Sequence, residues 1–328
     1  MPTVTLANSQ TFQCNADQTL LEAATTQGIS LEYSCRTGRC GVCKARVVSG
    51  TTQLARVDYI LSEAEISDGY ILTCCNTALS DIKIDIEDLS GLGLLEAKII
   101  PIRIEKLLML SADVIEVTLR TPPKSRLSYL PGQYIQVIAG NGLRRSYSLA
   151  NAPRQDGSIS IQIRKFQNGK MSRYWFEEAQ VNDLLRLEGP LGTFFLRESN
   201  ASNLILLATG TGIAPIKAFL EELAATPQKN TYRAIHVYWG GRTEKDHYWS
   251  PNLSEIKARF TPLVSRSSNG GIFQGYVQDA VLRDDINLPD SVVYACGSEF
   301  MINSARKALI NAGLPAKCFY SDAFVISN

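Results

Sequence analysis

The chain has 328 residues, 45% of them hydrophobic and 20% charged, with a formal net charge of +1. This balance excludes both the charge excess of a nucleic-acid-binding protein and the polar bias of a disordered one. No apolar run reaches the roughly 20 residues of a membrane span. The length suits two or three domains, and two changes of character along the chain favour three, at 1–90, 99–198 and 199–328.

The first segment opens on the alternating Val4-Thr5-Leu6, continues in a helical stretch from Thr19 to Gln27 that Gly28 stops, and closes on the strict polar–apolar alternation of Asp81–Ile86. Between them lies Cys35-Arg36-Thr37-Gly38-Arg39-Cys40-Gly41-Val42-Cys43. Its C-x4-C-x2-C spacing is the one that holds a [2Fe-2S] cluster in plant-type ferredoxins. A two-iron cluster needs four converging thiolates, and a tight loop can supply three. Cys74 supplies the fourth, after a gap of 30 residues, at the end of the apolar Tyr70-Ile71-Leu72-Thr73. If that run alternates as a strand, Cys74 and Cys75 face opposite sides and only one can reach the iron; the resemblance to plant-type ferredoxins, which place the ligand directly after the apolar run, implies Cys74. Gly38 and Gly41 suit a loop that must reach positive φ and aim backbone N–H groups at sulfur.

Structural zinc sites pair their cysteines as two short C-x2-4-C units, unlike three crowded in one loop with the fourth alone. The start Met1-Pro2-Thr3-Val4 carries no basic and apolar signal segment, so the eight cysteines read as thiols of a reducing, cytoplasmic setting. Cys14 and Cys318 stand outside any motif and suit small buried positions. Residues 1–90 hold 6 Lys and Arg against 11 Asp and Glu, a net charge of −5 that leaves +6 for the remainder. Arg36, Arg39, Lys44 and Arg46 nevertheless gather near the cysteine loop, where positive charge favours a reduced cluster or an acidic partner.

Residues 88–98 carry two glycines and no long periodicity, as a linker does. Beyond Ile99 come short β-type runs, Val114–Leu119, Tyr134–Ile138 and Ser158–Ile163, separated by Pro and Gly turns, the pattern of a small antiparallel barrel. Within it, Arg145-Ser146-Tyr147-Ser148 and Gly169-Lys170-Met171-Ser172 both have uses for a flavin. An Arg pairs with pyrophosphate, a Tyr ring lies against an isoalloxazine, a Ser hydroxyl sits near N5, and free N–H groups at a helix start meet phosphate. A helix is expected from Arg173 to Glu178.

The last segment alternates apolar strands with helices, as a parallel α/β sheet does. Leu204–Ala208 leads into Gly210-Thr211-Gly212-Ile213-Ala214-Pro215 and the helical Ile216–Leu223. The glycines allow backbone to approach a pyrophosphate, and Pro215 suits a first helical turn. Neither the full G-x-G-x-x-G nor a Walker loop is present. Strands ending at Trp239 and at Cys296-Gly297 belong on the same sheet edge, where a nicotinamide dinucleotide fits; Cys296 could position its ring. His236 and His247 lack any hydrolytic spacing and read as structural.

The order of these motifs, from the cysteine loop to Cys296-Gly297, resembles the ferredoxin–NAD(P)H reductase superfamily with an N-terminal plant-type ferredoxin domain. The resemblance spans the chain. It implies a β-grasp ferredoxin domain, an antiparallel β-barrel FAD domain and a parallel α/β NAD(P)H domain. It also implies FAD held by Arg145, Tyr147, Ser148, Gly169, Met171 and Ser172, with Phe324 shielding the flavin. NADH or NADPH falls to Gly210, Thr211, Gly212, Pro215, Cys296 and Gly297, with Ser148 and Cys296 at the catalytic centre. Segments such as Ile71–Cys75, Arg144–Ser148, Leu187–Phe195 and Tyr320–Phe324 are similar to the CDP-6-deoxy-3,4-glucoseen reductases of 3,6-dideoxyhexose synthesis, whose electrons go to a pyridoxamine-phosphate dehydratase. The other group within reach is the reductases that serve ring-hydroxylating or other multicomponent oxygenases. A non-catalytic redox sensor is the remaining alternative, disfavoured by the presence of both nucleotide motifs.

Ser265-Arg266-Ser267 occupies the region where NADPH-using relatives place a Ser-Arg pair on the 2′-phosphate, whereas the glucoseen reductases use NADH. Arg266→Ala is therefore expected to weaken NADPH use more than NADH use. Steady-state kinetics with both nucleotides check this, and equal effects would remove the phosphate role.

Overall fold

The computed structural model describes residues 1–140, 142–253, 256–266 and 273–324. They form two compact units, Met1–Leu95 and Glu96–Phe324, the second of which contains two large sheets.

In the first unit a mixed sheet runs in the order Thr11–Gln13, Thr3–Thr5, Ile82–Ile84, Lys44–Ser49, Tyr70–Leu72, with Thr3–Thr5 parallel to Ile82–Ile84. Ile82 and Ile84 are buried and Lys83 is exposed, so the alternation seen in the sequence has one dry face. The helix Leu20–Thr26 starts where its chemistry dictates. The Thr19 hydroxyl accepts from the Glu22 N–H while the Glu22 carboxylate accepts from the Thr19 N–H, a reciprocal cap worth about 1 kcal/mol. Its Leu20, Leu21, Ala23 and Ala24 enter the core that the sheet builds around Val4 and Phe12.

The first sheet of the second unit is antiparallel throughout, in the order Arg144–Ser148, Tyr134–Ile138, Leu184–Leu191, Lys98–Ser111, Val114–Arg120, Ser158–Arg164. Among the described residues one bridge, Leu149 to Ile161, joins its two outer strands and closes the barrel. The helix expected at Arg173–Glu178 is different in kind. A short α-turn, Lys170–Arg173, widens into a π-turn over Tyr174–Glu178, with the Ala179 N–H reaching the Tyr174 carbonyl at 2.7 Å. The wider turn sets Trp175 into the barrel core at 1% exposure.

The second sheet is parallel: Phe273–Gln274, Ala258–Val264, Ala234–Gly241, Asn203–Thr209, Ser291–Gly297, Phe319–Ala323. Leu204 to Ala208 are fully buried, as an unbroken apolar run covered on both faces must be. The chain leaves Asn203–Thr209 in one direction and returns on its other side, so a switch point lies between Thr209 and Cys296. Gly210–Gly212 winds as a 3-10 turn straight into the helix Ile213–Ala225, which begins three residues earlier than its apolar pattern suggests. Among the described residues no helix is long and apolar enough to cross a membrane.

The backbones at the switch point nearly touch. A Cβ on Gly212 would run into the Cys296 carbonyl, and one on Gly297 into the Thr209 side chain. Gly212→Ala is expected to cost about 1–3 kcal/mol, measured as a lower urea midpoint; an unchanged midpoint would show that the crevice can widen freely.

Candidate functional site

Cys35, Cys40, Cys43 and Cys74 come together as two pairs. The Cys43 and Cys74 sulfurs lie 3.3 Å apart, and Cys35 and Cys40 hydrogen-bond to each other. Among the described residues no three His, Cys, Asp or Glu side chains meet around one ion position. Two neighbouring pairs of thiols fit the four-sulfur donor set that a two-iron cluster would need.

The loop between them is shaped for sulfur. Gly38 and Gly41 both take φ +71°, and a Cβ on Gly38 would strike the Val57 carbonyl and the Cys75 sulfur. The backbone N–H groups of Thr37 and Arg39 face Cys35, that of Val42 faces Cys40 and that of Gly38 faces Cys74. Hydrogen bonding from Cys43 leads the effects that draw Cys74 down to about 3, and bonding from Cys40 leads those that draw Cys35 down to about 5. Cys40 and Cys43, as the donors and under burial, are pushed up. In each pair one thiol thus donates its proton to the other, and four-thiolate ligation would have to displace the protons that hold the pairs together.

Cys74 and Cys75 do not alternate. The strand ends at Leu72, residues 73–75 turn with the Cys75 N–H on the Leu72 carbonyl at 2.9 Å, and the two sulfurs lie only 3.7 Å apart. Their partners distinguish them: Cys74 meets Cys43, whereas Cys75 donates to the Val57 carbonyl at 3.5 Å. The loop cations are individually engaged. Arg36 lies over the Tyr33 ring, Arg39 over Tyr59, and Lys44 pairs with Glu65 at 2.9 Å.

In the barrel, Arg145 and Tyr147 share one face of their strand. Arg145 is half-buried and its Nη1 donates to the Arg144 carbonyl. The Tyr147 hydroxyl accepts from Trp175 Nε1 at 2.9 Å, and burial pushes its pKa up, so the ring stays neutral. Gly169 caps the short turn that carries Met171 into the core. The Ser172 hydroxyl is occupied locally, accepting from the Phe166 N–H at 2.8 Å.

Ser148 and Cys296, 148 positions apart, are joined by a residue that the sequence reading did not single out. The Ser148 hydroxyl donates to the Asp322 carboxylate at 3.4 Å, and Asp322 stands opposite Cys296 in the parallel ladder. All three are buried. Burial, reinforced by Asp322, raises the Cys296 pKa and keeps the thiol protonated. The signal for Asp322 was a lone carboxylate inside a terminal strand pattern. Phe324, 36% exposed, is tied to the same corner by its N–H on the Gly297 carbonyl at 2.8 Å.

Gly210 takes φ +54°, and its carbonyl accepts from Trp239 Nε1 at 2.9 Å. Arg164 of the barrel reaches this loop: it pairs with Asp113 at 2.8 Å and with Asp246, and its Nη1 lies 3.1 Å from where a Cβ on Gly210 would stand. Thr211 is half-buried, and Pro215 is buried in the first turn of its helix. Arg266 follows Ala258–Val264 at the C-terminal end of its parallel strand, with its N–H on the Arg242 carbonyl at 3.1 Å; Ser267 lies outside the described residues. His247 packs on Trp239 and bonds its carbonyl, a structural arrangement.

Three family models match the chain: a 2Fe-2S iron-sulfur cluster binding domain over 4–79, an oxidoreductase FAD-binding domain over 101–196 and an oxidoreductase NAD-binding domain over 206–307. The CDP-6-deoxy-L-threo-D-glycero-4-hexulose-3-dehydrase reductase of Yersinia pestis is 40% identical over 96% of each chain. The toluate 1,2-dioxygenase electron transfer component of Pseudomonas putida is 32% identical over 96% of this chain and 95% of its own. The crystal structure of an Amycolatopsis cytochrome P450 reductase shares the fold, with a TM-score of 0.77, 24% identity and 99% of both chains covered.

Cys74→Ser is expected to lose most of its iron and visible absorbance, while Cys75→Ser retains both. Iron analysis and absorption spectra decide this, and the reverse pattern would reassign the fourth ligand. Because loading displaces protons, equilibrium incorporation should be weaker at pH 6 than at pH 8.

Proposed function

The chain belongs to the iron–sulfur flavoprotein reductases that join a 2Fe-2S domain to FAD- and NAD-binding oxidoreductase domains, and from that premise we propose that it serves as a CDP-6-deoxy-3,4-glucoseen reductase. It is an NAD(P)H-dependent FAD oxidoreductase, the reductase component of a larger system. The proposed electron acceptor is a pyridoxamine-phosphate dehydratase holding a CDP-deoxyhexose. The observation that carries this choice is the higher identity to the Yersinia reductase than to the toluate component, at equal coverage of this chain. The second reading, service to an oxygenase, rests on that latter similarity.

In this reading residues 1–90 carry the cluster, 99–198 the flavin and 199–328 the nicotinamide nucleotide. When bound, the groups supply a hydride donor, a two-electron acceptor that gives up electrons singly, and a one-electron carrier. The protein's part is to hold and orient them. Cys35, Cys40, Cys43 and Cys74 would ligate the cluster, with the amides around Gly38 compensating the charge on sulfur. Arg145 and the N–H groups following Gly169, up to Ser172, would face the flavin pyrophosphate, with Met171 anchoring the turn, Tyr147 flanking the ring and Phe324 covering it. Gly210, Thr211, Gly212 and Pro215 would form the nucleotide loop, closed by Cys296 and Gly297, with Arg266 toward the adenosine end. Ser148 commits its proton to Asp322, which leaves its oxygen lone pairs free to accept a hydrogen bond from the reacting ring. Cys296, buried behind this site and held neutral, would bring no charge to the nicotinamide side.

The test is reconstitution with purified partners. Under anaerobic conditions NADH or NADPH should support turnover of the sugar dehydratase at several times the rate seen with a Rieske oxygenase component. Preferential coupling to the oxygenase would sink the sugar assignment while leaving the reductase activity intact.

A further inference from the structure

The helix that begins at the nucleotide loop is fastened to the backbone that follows the flavin-facing strand. Lys217, in the second turn of Ile213–Ala225, donates from Nζ to the Ala150 carbonyl at 3.0 Å. One turn later, Glu221 accepts from the Ala152 N–H at 3.1 Å. The two side chains pair with each other at 3.3 Å, and Lys217 also lies 3.6 Å from Glu116 on the barrel strand Val114–Arg120. Lys217 is only 13% exposed. Holding a lysine there takes the charges of Glu116 and Glu221 and the carbonyl of Ala150 together, because an unpaired ammonium at that depth is costly.

The placement matters more than the stability. Ala150 lies two residues beyond Ser148, and Lys217 five residues beyond Gly212. A displacement of the helix against the strand would therefore change the gap between Arg145–Ser148 and Gly210–Gly212 almost one for one. Glu116 extends the contact, accepting from Gln162 Nε2 at 3.2 Å, while Gln162 accepts in turn from the Tyr248 hydroxyl at 3.0 Å. The link therefore crosses between barrel and parallel sheet at more than one point.

We infer that Lys217 and Glu221 are positioning residues for hydride transfer, setting the distance between nicotinamide and flavin without touching either. This rests on the reductase reading above. The step they position moves one hydride, carrying two electrons, from reduced nicotinamide to flavin; NAD(P)H is oxidised to NAD(P)+ and the flavin is reduced. Reaction rates are steeply sensitive to such gaps, because reacting atoms must approach to about 3–3.5 Å. Loss of the link should thus lower the rate of the step much more than it lowers nucleotide affinity.

The test uses full-length protein loaded with flavin and cluster, in single-turnover anaerobic stopped flow with NADH and with NADPH. Lys217→Met is expected to keep its flavin content and to reach half-saturation within about twofold of the unaltered protein. Its limiting flavin-reduction rate should fall at least tenfold, with a weaker long-wavelength charge-transfer band. Lys217→Arg should recover much of both, and Glu221→Gln, which keeps an acceptor for the Ala152 N–H, should show a smaller loss in the same direction. If Lys217→Met does not fold, Glu221→Gln decides. Unchanged limiting rates, or a loss that only tracks lost flavin, would overturn the positioning role while wild-type flavin reduction stands. No flavin reduction in the wild type would overturn the reductase reading itself.

Discussion

The nucleotide half of this protein is organised around one steric constraint: two backbone segments pass each other at the switch point more closely than any side chain permits. Gly212 faces the Cys296 carbonyl and Gly297 faces Thr209, so the loop after one strand and the end of its neighbour are interlocked. This contact fixes the start of the helix Ile213–Ala225, and that helix carries Lys217 and Glu221 to the barrel. The ladder through Cys296 then places Asp322 beside Ser148. A local backbone approach thus sets the relation between two sheets.

The cysteine loop follows a comparable logic with different chemistry. Four thiols crowded together are stable only if their charge is shared or compensated. Here the sharing occurs within each pair, and the compensation comes from the backbone amides of Thr37, Gly38, Arg39 and Val42, turned toward sulfur by the positive φ of Arg36, Gly38 and Gly41. The turn at Thr73–Cys75 brings a fifth sulfur to the same side, which makes ligand choice a matter of partners rather than direction.

Much of the fold was legible in the sequence because its signals are local. The cysteine spacing, the alternation at Asp81–Ile86 and the apolar run into Gly210 each act within a few residues. The turn at Thr73–Cys75 is not visible in the sequence because an apolar run of four does not reveal where its strand ends. The π-turn at Tyr174 is dictated by where Trp175 must go in the core, and nothing in Tyr-Trp-Phe-Glu-Glu encodes that. Asp322, Arg164 and Lys217 stayed silent for another reason. Their partners lie 174, 82 and 67 residues away, across the join between two sheets, and no periodicity reports such distances.

The barrel is closed by the bridge at Leu149–Ile161, immediately beside the strand assigned to the flavin. The residues just past that seam, Ala150 and Ala152, are the ones gripped by Lys217 and Glu221 from the other sheet. The seam is therefore stitched partly by a neighbour that is distant in sequence. The two sheets are then poor candidates for modular exchange. A chimera that preserved every strand of both, but took its nucleotide half from a relative without this lysine–glutamate pair, would inherit a barrel with an unfastened edge. Recombination during evolution would have to carry the two halves together.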